Sequence, residues 1–337
     1  MSHEFTSGLF TRGEHAWHGL GTVIDGTCSA REAFRLAQAD WQVLSSPVYD
    51  ANLSPIGGYQ QLTRSDNGGH LAVHAGTYQI IQNEELIKVA EAFEAHATVS
   101  AVCVLREGAR VTFSMEVTDA IADVLPGDAV RAYLVGITSH DGKVAFQILF
   151  SPVRVVCNNT MSQAIGLADR GDASHRVKIR HTLNAAAIIR EIPRIIDLQR
   201  RQFSGGVQEL RAMAAAPCSL AAFRQYVGAV FADQLSGTIN AERGNPASAR
   251  PKQLEDLPLW ELVSGKFDGR MIGGDIAGVR GTYWAAYNAV TEFLTHDAGR
   301  SKDRAKAAAD RFESLYWGPS ASTLTRAHNA ALAATRA

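Results

Sequence analysis

The sequence predicts an α+β protein: an antiparallel β-meander sheet packed by helices, followed by a mostly helical C-terminal half. Three observations carry this. Two hairpin signals, Glu107-Gly108 and Asp141-Gly142, stand close together, each flanked by alternating apolar runs. Helical spacing dominates the chain beyond them, and no alternating strand-helix-strand pattern of a dinucleotide-binding fold intervenes. The composition, 46% hydrophobic and 20% charged over 337 residues, belongs to a globular chain with a substantial core.

Near the start, Glu14-His15-Ala16-Trp17-His18-Gly19-Leu20-Gly21 reads as a turn with Trp17 in the core; His15 and His18 have no third ligand at metal-site spacing, so no metal or cofactor is expected. Ser29-Ala30-Arg31-Glu32 is a capping box opening a helix to about residue 39. Short strands are expected at 59–64, 71–73 and 78–81, between breakers such as Pro55, Gly57-Gly58 and Gly68-Gly69. Asn83 then caps a helix whose first turn holds Glu84 and Glu85 and whose buried stripe is Leu86, Val89, Ala90 and Phe93.

The first hairpin, 99–106 with 109–117, places Val104 opposite Val111 and Val102 opposite Phe113. In the second, a two-residue turn at Asp141-Gly142 places Ile137 opposite Phe146, Val135 opposite Ile148 and Tyr133 opposite Phe150. A slip of one residue there would send the apolar set to the other face. Pro152 ends the pairing, and Cys157-Asn158-Asn159-Thr160 lies where a helix through Gln163 and Ile165 would begin. The α+β part is therefore taken as residues 1–166 and the mainly helical part as 167–337.

Past Leu167, Arg170, Arg176, Lys178, Arg180 and His181 precede a helical run from Thr182. Ile188, Ile192, Ile195 and Ile196 form its inner side, Arg190, Arg194, Arg200 and Arg201 its polar side, and Pro193 kinks it or starts a second helix. A further helix spans 219–235, and residues 236–256, with Gly237, Gly244, Pro246 and Pro251, are a possible linker. The glycine-rich stretch 271–281 lacks the Lys-Ser/Thr of a phosphate loop and reads as a turn before a helix at 282–296. Alanine-rich helices bearing Arg304, Lys306, Arg311, Arg326 and His328 close the chain.

Charge and cysteine usage narrow the function classes. The net charge of −1 conceals a split: residues 1–128 hold 7 Lys+Arg against 16 Asp+Glu, and residues 129–337 hold 26 against 18. That suits an anionic partner on the basic part, or contact between subunits of a homo-oligomer. Four scattered cysteines argue for reduced thiols, not a disulfide framework or zinc ribbon. No apolar run approaches the roughly 20 residues of a membrane span, and the first residues lack a signal-peptide pattern, so a cytoplasmic location away from membranes is expected.

Several stretches together resemble one family, the phage/plasmid-like proteins with domain of unknown function 932. They are Trp17-His18-Gly19-Leu20-Gly21, Gln82-Asn83, His140-Asp141-Gly142, Arg154-Val155-Val156-Cys157-Asn158-Asn159-Thr160, Ile179-Arg180-His181-Thr182, and Ala286-Tyr287-Asn288-Ala289-Val290-Thr291-Glu292. They fall in the family's order along nearly the whole chain. The resemblance implies a phage or plasmid setting and carries no established activity.

The residues support two functions of different class. As a nucleic-acid-binding accessory of replication or recombination, coating or annealing single-stranded DNA, the chain would lay Arg154, Arg176, Lys178, Arg180, His181 and Arg190 along phosphates, with Asn158 and Asn159 donating from a helix start. The layout is loosely similar to the sheet-plus-helix core of phage annealing proteins, by analogy of arrangement alone. As an enzyme it would use Cys157 as nucleophile with His181 as base, although the apolar run before Cys157 favours a packed thiol. A non-enzymatic assembly or host-interaction role is a third reading.

Overall fold

The computed structural model of the chain describes residues 5–11, 22–154, 159–160, 176–178, 185–236, 238–239, 250–299 and 304–336. In chain order the described elements are β1 (Phe5–Phe10), β2 (Thr22–Val23), α1 (Ala30–Leu36), β3 (Val43–Tyr49), β4 (Pro55–Arg64), β5 (His70–Ala75), α2 (Asn83–Phe93), β6 (Ala97–Leu105), β7 (Arg110–Leu125), β8 (Asp128–Ser139), β9 (Gln147–Arg154), β10 (Asn159–Thr160) and β11 (Arg176–Lys178). The second half holds α3 (Ala185–Ala215), α4 (Leu220–Val230), α5 (Ala232–Leu235), β12 (Thr238–Ile239), β13 (Arg250–Pro251), α6 (Leu259–Gly265), α7 (Tyr283–Glu292), α8 (Arg304–Trp317) and α9 (Pro319–Ala334). The class is α+β, with strands in front and helices behind.

An eight-stranded sheet in the order β10-β9-β8-β7-β6-β1-β2 forms the centre, and β11 shares the outer edge of β9 with β10. Strands β6 to β9 are the expected meander. In its first hairpin Val104 pairs with Val111 and Val102 with Phe113, as the short Glu107-Gly108 turn dictates. The second hairpin differs by one residue: Ile137 pairs with Gln147, Val135 with Leu149 and Tyr133 with Ser151. Its connection is the cause. The Asp141 carboxylate accepts from Ser139 Oγ at 2.5 Å and from Lys143 N at 3.0 Å, while His140 N bonds back to Ala109 O at 2.8 Å. Residues 140–146 therefore form a loop instead of a two-residue turn. The slip carries little penalty because Leu134, Ile148 and Phe150 on one face and Val135, Ile137 and Leu149 on the other are all buried.

One face of the sheet is mostly apolar, interrupted by the buried Thr138 and, at one end, by Arg154. Leu9, Val102, Val104, Val111, Phe113, Met115, Leu134, Ile148 and Phe150 are buried there, beneath α1, α2 and α3. Phe113 meets Phe34 of α1 edge-on at 6.3 Å and Phe150 meets Phe203 of α3 at 6.4 Å. Gly136 makes the first of these possible: a Cβ at that position would lie 2.3 Å from the Phe113 ring. α3 is one helix of 31 residues with Pro193 inside it, and Ile192, Ile195 and Ile196 are buried along it as the spacing predicts. The core is one cluster reaching from Leu9 to Leu332, so the helical half packs directly onto the sheet.

A smaller antiparallel sheet, β3-β4-β5, stands to one side; residues 78–81 are not a strand in it. It is tied on through α2. Gln82, not Asn83, is the N-cap position, and its amide mimics a strand by accepting from Val43 N at 2.7 Å and donating to Val43 O at 2.9 Å. Asn83 is fully buried as the first helical residue. Its Nδ2 donates to Trp41 O, which leaves Oδ1 to accept from His140 Nε2 at 2.9 Å. Burial pushes the His140 imidazole down to about 4, so it is neutral with the proton on Nε2.

Candidate functional site on the polar face of the sheet

The opposite face of the meander is unlike the first. Strand alternation places Arg110, Thr112, Ser114 and Glu116 of β7, Arg131, Tyr133, Val135, Ile137 and Ser139 of β8, and Gln147, Leu149, Ser151 and Val153 of β9 on it. Ser114, Glu116, Arg131 and Tyr133 are half-buried, so this part of the face reaches solvent. Arg131 donates to Glu116 at 2.5 Å, and the Tyr133 hydroxyl reaches the other oxygen of that carboxylate at 3.5 Å. Thr112 donates to Gly136 O at 2.8 Å. Arg131 Nε, Gln147 Oε1 and Ser151 Oγ are buried without a hydrogen-bond partner among the described residues. Each such atom left unpaired in the fold costs about 1–3 kcal/mol.

A clamp of charges closes one end of the face. Arg110 lies between Glu313 at 2.5 Å and Asp141 at 3.2 Å, and Arg106 reaches the same Glu313 at 2.7 Å and Asp310 at 3.3 Å, so α8 is fixed to the β6-β7 turn. Burial opposes the Asp141 charge, but Ser139, the Lys143 N–H and Arg110 outweigh it and hold the carboxyl below its ordinary range. In that turn Arg106 and Glu107 both take positive φ, 52° and 58°, a conformation L-residues adopt at a cost. The Arg106 ion pairs and a bond from Glu107 N to Thr6 Oγ1 at 2.8 Å hold them there.

The residues expected on phosphates part company. Arg154 is corrected: its side chain is fully buried, with Nε and one terminal nitrogen on the two oxygens of Asp128 at 2.6 and 2.8 Å. The remaining donors reach Ile272 O at 3.1 Å and Gly273 O at 3.2 Å, and the guanidinium lies 5.5 Å from the Trp284 ring, whose Nε1 donates to the same Asp128 at 2.7 Å. It therefore offers no charge to solvent. The glycine-rich turn supplies carbonyls for this arginine, and Glu292 accepts from Ile272 N at 3.0 Å and pairs with Lys266 at 2.6 Å. Burial works against the Lys266 charge, yet Glu292 and Asp297 together raise its pKa. Sequence spacing gives no hint of these pairings, since Asp128 and Trp284 are 156 residues apart.

Asn159 is also corrected: it stands in the two-residue strand β10, paired with Arg154 of β9, not at a helix start. Arg176 and Lys178 lie in β11, opposite Leu149 and Gln147, so the register assigns both positions to the polar face and Val177 to the apolar one. Arg190 is exposed on α3, with no ion pair among the described residues. Asn158, Arg180 and His181, and with them Cys157, His15 and His18, lie outside the described residues. Of the three described thiols, burial pushes Cys28 and Cys103 up and Cys218 up to about 11, so none is an activated nucleophile.

Among the described residues the family-like motifs gather at the two ends of the sheet, Gln82-Asn83 with His140 at one and Arg154 with α7 at the other. A family model for the domain of unknown function 932 matches residues 70–316, from β5 to the end of α8. The chain belongs to this family. In this domain-of-unknown-function-932 protein the matched span takes in the whole meander, β11, and α2 and α3 over the apolar face, while α1 precedes it. No curated protein and no solved structure matches the chain. None of the described helices is long and apolar enough to cross a membrane.

Proposed function

We propose that this protein is a phage- or plasmid-encoded nucleic-acid-binding accessory, acting in the cytoplasm, that holds single-stranded DNA along the polar face and outer edge of its meander. The observation that carries the reading is the position of β11: a strand of the basic segment joins the sheet, with position 176 opposite Leu149 and position 178 opposite Gln147, whose buried amide oxygen has no partner among the described residues. Phosphate contacts from such residues supply sequence-independent affinity through counterion release. Arg180 and His181 follow within three residues in sequence, Asn159 stands in β10 on the same edge of β9, and Asn158 precedes it in sequence. Polar groups on the floor, the half-buried Ser114 and Tyr133, suit sugar and base edges, and Tyr133 offers a ring on which a base stacks. Arg190, exposed on α3 on the apolar side of the sheet, would meet the strand only where it passes round the outer edge. Arg154 has no part in this binding.

The test is an electrophoretic shift of labelled single strands over a salt series. Binding that weakens steeply with salt, and that is lost when Arg176, Lys178 and Arg180 are replaced by Ala with thermal stability unchanged, supports the reading. Absence of any shift at low salt overturns it.

A further inference from the structure

The glycine-rich stretch before α7 is left unused by the strand-binding reading, and the fold brings it to the same edge of the sheet. Along the outer side of β9, position 178 stands opposite Gln147, position 176 opposite Leu149, Thr160 opposite Val153 and Asn159 opposite Arg154. Arg154 then donates to the carbonyls of Ile272 and Gly273, and Glu292 accepts from Ile272 N, so the stretch is fastened at the far end of that edge. The run of β9 from Leu149 to Arg154 sets it about 17 Å beyond β11. Two arginines are seated there. Lys266–Arg270 continues α6 by a further helical turn, and the guanidinium of Arg270 folds back flat onto Gly265, where any Cβ would collide with it. Gly265 has φ −67°, which every residue adopts, so its missing side chain serves to make room for the arginine. Arg280 lies in the same way over Gly269: a Cβ there would stand 2.9 Å from a terminal nitrogen, and the Arg280 Nε donates to Gly274 O at 3.1 Å. Gly265 and Gly269 are about 6 Å apart along one turn, so the two guanidinium groups are neighbours.

We propose that Arg270 and Arg280 are a second phosphate anchor, taking the backbone of the single strand after it leaves β11 and passes Asn159; the inference rests on the strand-binding reading and gives it a distant end. Both residues are exposed, and neither forms an ion pair among the described residues. Lys266 is taken by Glu292 and Asp297, while Asp268 and Asp275 bond neither arginine. Other exposed arginines of the helical half are neutralised, Arg224 by Glu255 and Arg250 by Asp256. Arg154 differs too, since Asp128 and the two carbonyls close its fork inside the core. A guanidinium presents donors in a planar fork that matches a phosphate. Here the fork is already laid against backbone, on a stretch that Arg154 and Glu292 hold from within, so little side-chain freedom is lost when the anion arrives.

Arg270→Ala with Arg280→Ala in the full chain should flatten the plot of log binding constant against log salt by about 1.4, the share of two phosphates on a single strand, with thermal unfolding unmoved. Arg31→Ala with Arg35→Ala takes the same charge from α1, where both arginines are paired with glutamates, and should leave the slope as it is. In the wild type, a bound oligodeoxythymidine of about 16 nucleotides should slow hydrogen exchange over residues 266–281, a measurement that needs no variant. A wild type that binds the strand while the double variant keeps its slope, or loses no more of it than the α1 control, overturns the proposal and leaves the strand-binding reading standing. So does a bound strand that leaves exchange over 266–281 unchanged. A wild type that binds no strand at low salt overturns both.

Discussion

Replacing Arg154 by Ala separates a structural arginine from a phosphate-binding one. The guanidinium makes two charge-assisted bonds to Asp128 and two to the carbonyls of residues 272 and 273, in a place with no solvent exposure. Its removal leaves the Asp128 carboxylate buried with Trp284 Nε1 as its remaining donor among these contacts. Breaking one partner of a buried ion pair costs about 3–5 kcal/mol. With an unfolding entropy of about 2 cal/mol/K per residue, a chain of 337 residues loses about 6 °C in Tm for a 4 kcal/mol change. Lys at this position keeps the charge but not the planar fork, so Arg154→Lys should lose most of the same stability. Thermal unfolding followed by circular dichroism, beside a single-strand shift assay, reads both quantities. A Tm within about 1 °C of wild type combined with lost strand binding would refute the reasoning, because it would place the charge on the ligand and not in the core.

Other consequences of the structure are equally direct. His140 titrates near 6.5 when unfolded and about 4 when folded, so the unfolded chain takes up the extra proton between those values. Stability should be flat above pH 6.5 and fall by up to about 3 kcal/mol as the pH drops to 4, and His140→Gln should remove that slope in a urea series. Gly136→Ala sets a methyl group against the Phe113 ring and should cost more than about 2 kcal/mol by chemical unfolding; a neutral outcome would mean the strand shifts freely. Glu107→Gly relieves a left-handed residue and should raise stability by up to about 1 kcal/mol in the same assay.

How far the sequence reveals this arrangement depends on the range of the forces involved. The β6-β7 register comes from a short turn and an alternating pattern, both local. The β8-β9 register escapes the same logic because the Asp141 side chain bonds Ser139 and Lys143 and turns an apparent two-residue hairpin into a longer loop. Asn83 looks like a cap because Asn usually is one; it is instead a buried bridge between Trp41 and His140, partners 42 residues before and 57 after it. Arg154 misleads most. An arginine at the end of a strand in a basic half reads as a phosphate ligand, and only the fold reveals that Asp128, Trp284 and two glycine-loop carbonyls enclose it. By contrast Arg176 and Lys178, in a strand too short to show an apolar pattern, gain their meaning from pairing with β9.

Single-strand affinity as a function of salt tests the central claim most directly. If phosphates lie along β11 and its continuation, the logarithm of the binding constant falls linearly with that of the salt concentration, and removing three cationic side chains at 176, 178 and 180 flattens the slope by about 2. An affinity indifferent to salt, or a slope the triple variant leaves unchanged, contradicts the account.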